Sequence, residues 1–196
     1  RNLYSRKSTS VFSRSVLHSR GLYMSNKSDL SIIIPVHNEE ENILELYEKL
    51  YNTLSRIEKT YEIIFIDDGS TDSTFEEIKK IKDYKVKVIR FQRNYGKAAA
   101  LSCGFKKSKG DIVITLDGDL QDDPKEIPRF IEELKKYDMV SGWKSKRQDP
   151  ISKTLPSRGF NWLTRIITGV KINDFNCGYK AYNNYVVKNI NLWLLK

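Results

Sequence analysis

Only two cysteines and two histidines occur in the 196 residues. Cys103 and Cys177 are too few and too far apart for a disulfide framework or a zinc site. They are expected to be buried thiols, and a reducing compartment is the simpler setting. No apolar run approaches the length needed to cross a bilayer, so any membrane contact of this chain is expected to be peripheral. No G-x-x-x-x-G-K-[ST] segment is present, which argues against a P-loop kinase or ATPase. No G-x-G-x-x-G follows the first strand, which argues against a dinucleotide oxidoreductase. Acids are missing from the first 24 residues, where Arg1, Arg6, Lys7, Arg14 and Arg20 account for five of the nine excess positive charges. The remaining body is only mildly basic, which weakens a nucleic-acid reading because that reading needs a basic face on the folded part.

The Ser- and Arg-rich opening cannot build a core. It resembles an organellar transit peptide, with Met24 a candidate start, or else a tail foreign to the domain. Residues 1–24 are therefore set aside as a disordered or targeting tail, and residues 25–196 are expected to form one domain with a sizeable core.

Within that domain, strands and helices alternate. Ser31 to Ile34 reads as a buried strand that stops at Pro35, followed by a helix with Ile43, Leu46, Tyr47, Leu50, Leu54 and Ile57 at helical spacing. Tyr61 to Ile66 is a second strand, and Ser73-Thr74-Phe75-Glu76 has the form of a capping box opening a helix with Phe75, Ile78 and Ile81 inward. Val86 to Phe91 is a third strand, leading into a small-residue helix from Ala98 to Lys107. Ile112 to Leu116 is a fourth strand, apolar on both faces. A helix from Pro124 and a short strand near Met139 follow. A helix is then expected over residues 152–168, where packing against the sheet competes with docking on a membrane surface. Residues 173–180 read as a polar loop. Strict alternation predicts an α/β fold with a mostly parallel central sheet covered by helices on both faces.

In such a sheet ligands sit beyond the carboxyl ends of the strands. Pro35 to Glu39, Asp67-Asp68, Arg93 to Lys97 and Asp117 to Gln121 all fall at those ends. Asp117-Gly118-Asp119 is the densest of these clusters. Two like charges one residue apart, with Gly118 letting the chain fold tightly between them, repel unless a cation or water screens them. Hard oxygens of this kind suit Mg²⁺ or Mn²⁺, and Gln121 adds a neutral oxygen. The competing reading is a solvated Asp-Gly turn, which leaves unexplained why four acids follow an apolar strand. Acids holding a metal beside basic residues suit a diphosphate leaving group.

Five segments, Ser31 to Asn42, Phe65 to Asp72, Arg93 to Lys97, Leu116 to Asp122 and Asp174 to Tyr182, occur in the order seen in family 2 glycosyltransferases. The chain most resembles their polyprenyl-phosphate sugar transferases, a group that includes dolichol-phosphate mannose synthase and undecaprenyl-phosphate glucosyltransferases. The resemblance implies a GT-A fold and an inverting, metal-dependent transfer from a UDP- or GDP-sugar to a polyprenyl phosphate. It implies that Pro35, His37 and Glu39 hold the nucleobase and that Asp68, with Ile66 beside it, contacts the nucleoside. Asp117 would lie against ribose and sugar, with Gly118 and Lys97 in the donor site and Asp119 and Gln121 as metal ligands. Lys144 and Lys180 would hold phosphate, and Asp117, Asp119 and Asp174 form the catalytic set. A lone His37 in a turn, Asp67 and Asp72 capping a helix, and Lys97 at a solvated helix start are the plain structural alternatives.

The implied partners are a nucleotide sugar, a polyprenyl phosphate and a membrane surface or membrane protein, at a cytoplasmic face, with no nucleic acid. Relatives usually continue past this point, so a C-terminally truncated domain is expected. Transfer to a glycan or other hydroxyl, and a non-catalytic nucleotide-sugar-binding fragment, are the alternative readings.

Overall fold

In the computed structural model, the residues described are 28–142 and 177–189. Six strands form one sheet in the order β3-β2-β1-β4-β6-β5. They are β1 (Leu30–Val36), β2 (Tyr61–Asp67), β3 (Val86–Arg90), β4 (Ile112–Thr115), β5 (Met139–Ser141) and β6 (Lys180–Asn183). The first four are parallel; β6 runs antiparallel between β4 and β5. The helices are α1 (Ile43–Leu54), α2 (Thr74–Lys80), α3 (Lys97–Lys107), α4 (Ile127–Glu133) and α5 (Asn184–Asn189), with a 3₁₀ turn at Pro124–Glu126 before α4.

The period of two along the strands divides the core. Ile32, Ile34, Ile63, Phe65 and Ile114 face α1, α2 and α4, meeting Ile43, Leu46, Leu50, Leu54, Ile78, Ile127 and Phe130. Ile33, Ile64, Ile66 and Val113 face the other way, onto Ala100 and Phe105 of α3 and Val187 of α5. Gly104 of α3 lets that helix come close, since a Cβ there would lie 2.4 Å from Ile33. The expected doubly covered sheet is therefore present, and its parallel part has both faces buried.

Four local expectations are corrected. Strand β1 does not stop at Pro35 but runs through it to Val36. β4 pairs with β1 only as far as Ile33, so beyond that point β1 has a neighbour on one side, β2, and the missing N–H is tolerated as at an edge. Helix α2 has no capping box, because no side chain caps it from Ser73 and the Ser73 N–H donates to Glu40 at 2.8 Å. Phe75 lies outside the core and carries the Arg90 guanidinium 4.8 Å from its ring centre. Lys180 opens β6 rather than closing a polar loop. The expected helix over 152–168 lies outside the described residues.

The chain leaves β1 toward β2 and β3 on one side, then returns to place β4 on the other. The reversal creates a switch point between the carboxyl ends of β1 and β4, where adjacent connections diverge and open a crevice.

Candidate active site

At that switch point lies an open crevice of about 260 Å³, lined by Pro35, Val36, His37, Glu39, Asp68, Asn94, Gly96, Lys97, Asp117, Gly118 and Asp119. Its walls come from the ends of β1, β2 and β4 and from the loop into α3. The four polar clusters are brought together because a parallel sheet puts all its carboxyl ends on one side.

The β1 end is strapped to the β2 end. Asn38, in the left-handed region at φ 57°, donates its N–H to Ser70 Oγ at 3.0 Å, and its side-chain oxygen accepts from Thr71 N–H at 2.8 Å. Glu39 N–H donates to Thr74 Oγ1 at 2.8 Å, and that hydroxyl donates to Asp72 at 2.5 Å. Burial raises the Asp72 pKa, but hydrogen bonds from the Thr74 hydroxyl, the Thr74 N–H and the Glu40 N–H outweigh that and hold the carboxyl below its ordinary value. Asp72 thus organises both loops, and the Glu39 carboxylate is itself oriented by Asn42 Nδ2 at 2.6 Å.

Asp68 is buried and already occupied. Its two oxygens accept the N–H groups of Tyr95 at 2.7 Å and Gly96 at 2.8 Å, fixing the entrance to α3. Gly69 makes the approach possible: its φ is 68°, and a Cβ would lie 2.3 Å from the Arg93 carbonyl carbon. Asp67 is fully buried and accepts Ser70 N–H at 2.8 Å, with Arg90 Nε 3.2 Å from its other oxygen in an ion pair outside hydrogen-bond geometry.

Asp117 is the centre of the crevice. Lys97 Nζ reaches its Oδ1 at 2.5 Å, and its N–H donates to the buried Asp122 carboxylate at 3.0 Å. Behind it lies Gly178, where a Cβ would meet the Asp117 oxygens at 2.4 and 2.6 Å. Thr115 Oγ1 donates to the Gly178 carbonyl at 2.7 Å, tying β4 to the start of β6. Three residues after Asp117, Leu120 takes φ 62°, uncommon for a residue with a branched side chain, while packing on the main core. That conformation leaves Asp119 on the crevice wall, its Oδ1 accepting Gln121 N–H at 3.1 Å. Tyr179 donates its hydroxyl to the Asp123 carbonyl at 3.1 Å; burial first, then the neighbouring Asp122 charge, raises its pKa and keeps it a neutral donor.

Of the residues expected in the site, Pro35, His37, Glu39, Asp68, Lys97, Asp117, Gly118 and Asp119 line one crevice. The Ile66 side chain is fully buried in the core beneath α3 and does not line it. Gln121 is exposed outside the lining, and Lys180 sits at the head of β6 opposite Thr115. Lys144 and Asp174 lie outside the described residues. Sequence reasoning missed Asp122 and Gly178 as supports of Asp117; Asn94 and Gly96, which line the crevice, were named only as members of the Arg93 to Lys97 cluster at the strand ends, and only the density of acids after β4 pointed toward Asp122.

Asp117 and Asp119 offer hard carboxylate oxygens to the same space. Among the described residues no group of three or more His, Cys, Asp or Glu could enclose a metal. This donor set fits Mg²⁺ or Mn²⁺, which accept one or two carboxylates and complete their shells with water and phosphate oxygens.

The family model described as Glycosyl transferase family 2 matches residues 31–190. The chain is 35% identical over 170 residues to the dodecaprenyl-phosphate galacturonate synthase of Rhizobium johnstonii, covering 84% of this chain and 50% of that protein. It is 38% identical over 162 residues to the undecaprenyl-phosphate 4-deoxy-4-formamido-L-arabinose transferase of Pseudomonas fluorescens, covering 81% of this chain and 48% of that protein. The chain spans about half the length of the curated relatives it matches. Glucosyl-3-phosphoglycerate synthase from Mycobacterium tuberculosis, crystallised with Mn²⁺ and UDP-glucose, has a TM-score of 0.65 at 20% identity, covering 83% of this chain and 58% of that one. At that identity the likeness speaks for the fold alone.

Proposed function

Because the chain belongs to glycosyl transferase family 2 and has the GT-A fold, we propose that it transfers a sugar, with inversion, from a UDP- or GDP-sugar to a polyprenyl phosphate. The observation that carries this reading is the convergence of Pro35 to Glu39, Asp68, Lys97 and the Asp117-Gly118-Asp119 turn on one crevice at the switch point of the sheet. The names of the relatives favour a polyprenyl phosphate as acceptor.

In this reading Pro35, His37 and Glu39 border the nucleobase, and Asp68 holds the nucleoside wall in place through the Tyr95 and Gly96 amides. Ile66 acts from beneath, as packing under that wall. Asp117 orients ribose and sugar, and Lys97, Lys144 and Lys180 bind phosphate oxygens. Asp119, with Asp117 near it and Gln121 beside it, is the binding point for Mg²⁺ or Mn²⁺. The cation supplies charge neutralisation of the diphosphate as it leaves. An acceptor phosphate monoester has its second pKa near 6, so about nine-tenths is dianionic at neutral pH. Its oxygen can form the new bond to the anomeric carbon as the bond to the diphosphate breaks, without a residue taking a proton. Asp174 is assigned the sugar side of that geometry. No helix among the described residues is long and apolar enough to cross a membrane. The polyprenyl-phosphate acceptors in the relatives' names support a lipid met through a peripheral contact or a membrane partner, which we assign to a cytoplasmic face.

The test is radiolabelled UDP-glucose, UDP-GlcNAc and GDP-mannose with undecaprenyl or dolichyl phosphate and Mn²⁺. Label in an organic-extractable, mild-acid-labile product, lost in Asp119→Ala, is the expected result. Label passing only to water-soluble hydroxyl acceptors would sink the proposal, as would donor binding with no transfer to any acceptor.

A further inference from the structure

The lining of the crevice is unbalanced in charge. Glu39, Asp68, Asp117 and Asp119 face it, against Lys97 as the one Lys or Arg among the described lining residues. The acids are not equivalent. Each Asp68 oxygen accepts a backbone amide, Glu39 is held by Asn42, and Asp119 takes the Gln121 amide. Among the described residues, Asp117 alone of these acids is paired with a Lys or Arg, at 2.5 Å, and both partners keep solvent access, with side chains 49% and 23% exposed.

Lys97 is delivered to that position by the fold. Gly96 at φ 89° turns the chain into α3, and the two bonds from Asp68 fix the residues just before it. The ammonium is therefore aimed across the crevice onto the acid expected to meet the sugar. A diphosphate brought to this site meets the same ammonium, and one lysine cannot satisfy Asp117 and a phosphate fully at once.

We infer that Lys97 is a placeholder counter-ion: it neutralises Asp117 while the crevice holds no donor, and moves to the diphosphate when donor and divalent cation enter. This rests on the donor-and-cation reading above. An ion pair with this much exposure is weak, worth at most about fivefold in an equilibrium, so an entering divalent charge can displace it. A charge-assisted bond to a phosphate, shielded in the filled crevice, is worth about tenfold or more. Lys97 thus opposes binding of the cation alone and favours binding of the cation with nucleotide. The pairing weakens capture of a bare cation by the acids, by about fivefold at most, and makes metal and donor arrive cooperatively, by linkage between the two sites.

The sign reversal gives the test. Mn²⁺ binding alone is followed by loss of the free-ion electron paramagnetic resonance signal. UDP and GDP binding in the presence of Mn²⁺ are each followed by calorimetry, on the full chain and on Lys97→Met, Lys97→Arg and Arg93→Met. Arg93 is a nearby base whose guanidinium lies over the Tyr95 ring and is a control for long-range charge. Lys97→Met is expected to bind Mn²⁺ alone about three- to fivefold more tightly and the preferred nucleotide about tenfold more weakly. Lys97→Arg should stay near the parent in Mn²⁺ alone, and Arg93→Met should shift it by less than twofold. Mn²⁺ affinity unchanged or weaker in Lys97→Met, or an equal gain in Arg93→Met, overturns the placeholder role while leaving the donor reading intact. Failure of the unmodified chain to bind either nucleotide with Mn²⁺ overturns both.

Discussion

Glu62 at one end of the sheet and the Asp117–Asp119 pair at the other use carboxylates in opposite ways. At the amino ends of the strands, Glu62 of β2 is buried and accepts from Ser31 Oγ at 2.6 Å, the Lys109 N–H at 2.8 Å and Lys87 Nζ at 2.6 Å. Ser31 Oγ in turn accepts the Gly110 N–H at 2.8 Å, so one acid ties β1, β2, β3 and the entry to β4. At the carboxyl ends, Asp117 and Asp119 are partly exposed and face open space. An acid whose lone pairs are all used inside the protein contributes to folding and has nothing left for a ligand. An acid with lone pairs facing a crevice contributes little to folding and can bind. Partner count and access, rather than residue type, separate structure from site.

The largest break in that comparison is expected from Asp119→Ala, which should cut sugar transfer by about 10³-fold while urea unfolding changes by no more than about 0.5 kcal/mol. A matching loss of stability would place Asp119 with Glu62 as a structural acid. Next, Glu62→Ala should cost about 3 kcal/mol of unfolding free energy, because it strands a buried hydroxyl and amides. The folded fraction should keep its nucleotide affinity within twofold in calorimetry. Gly178→Ala sharpens the boundary between the ends, since its Cβ would press on the Asp117 oxygens. A loss of about tenfold in transfer, seen in kcat rather than in KM for the donor, is expected, equivalent to about 1.4 kcal/mol in the barrier.

The smallest effect is one of pH. Burial raises the Glu62 pKa, but hydrogen bonds from Lys87, Ser31 and the Lys109 amide outweigh it and leave the carboxyl below its ordinary 4.5. A depressed folded value means that the contribution to stability is present above the unfolded value and is lost as pH falls through the folded one. Urea midpoints should therefore drop below about pH 4.5, and Glu62→Gln should flatten part of that drop. Asp72, lowered for the same kind of reason, contributes with the same sign, so a residual slope should survive in the variant.

Much of the site was legible because its parts are local. Each cluster sits at the end of an apolar run, and the runs are long enough to be read as strands. Lys97 was named from its place at a helix start, but its partner lies twenty positions away and nothing nearby in the chain points to it. Ile66 was named beside Asp68, and the alternation of the strand turns its side chain into the core beneath α3. Gly178 carried no signal for its role, since what requires a glycine there is the Asp117 carboxylate, brought against it by the pairing of β4 with β6.

Apolar periodicity by itself determined the alternation of strands and helices, and with it the convergence of four polar clusters, since parallel strands share one carboxyl side. Tertiary structure decided the rest. Lys180–Asn183 became a central antiparallel strand although no apolar run marks it, because β4 had an open edge and β5 could follow. Pro35 was admitted to β1 because β4 ends early. Periodicity records which face of an element is buried; it carries no label for the element that buries it, and at this site the partners decide which acids are free to act.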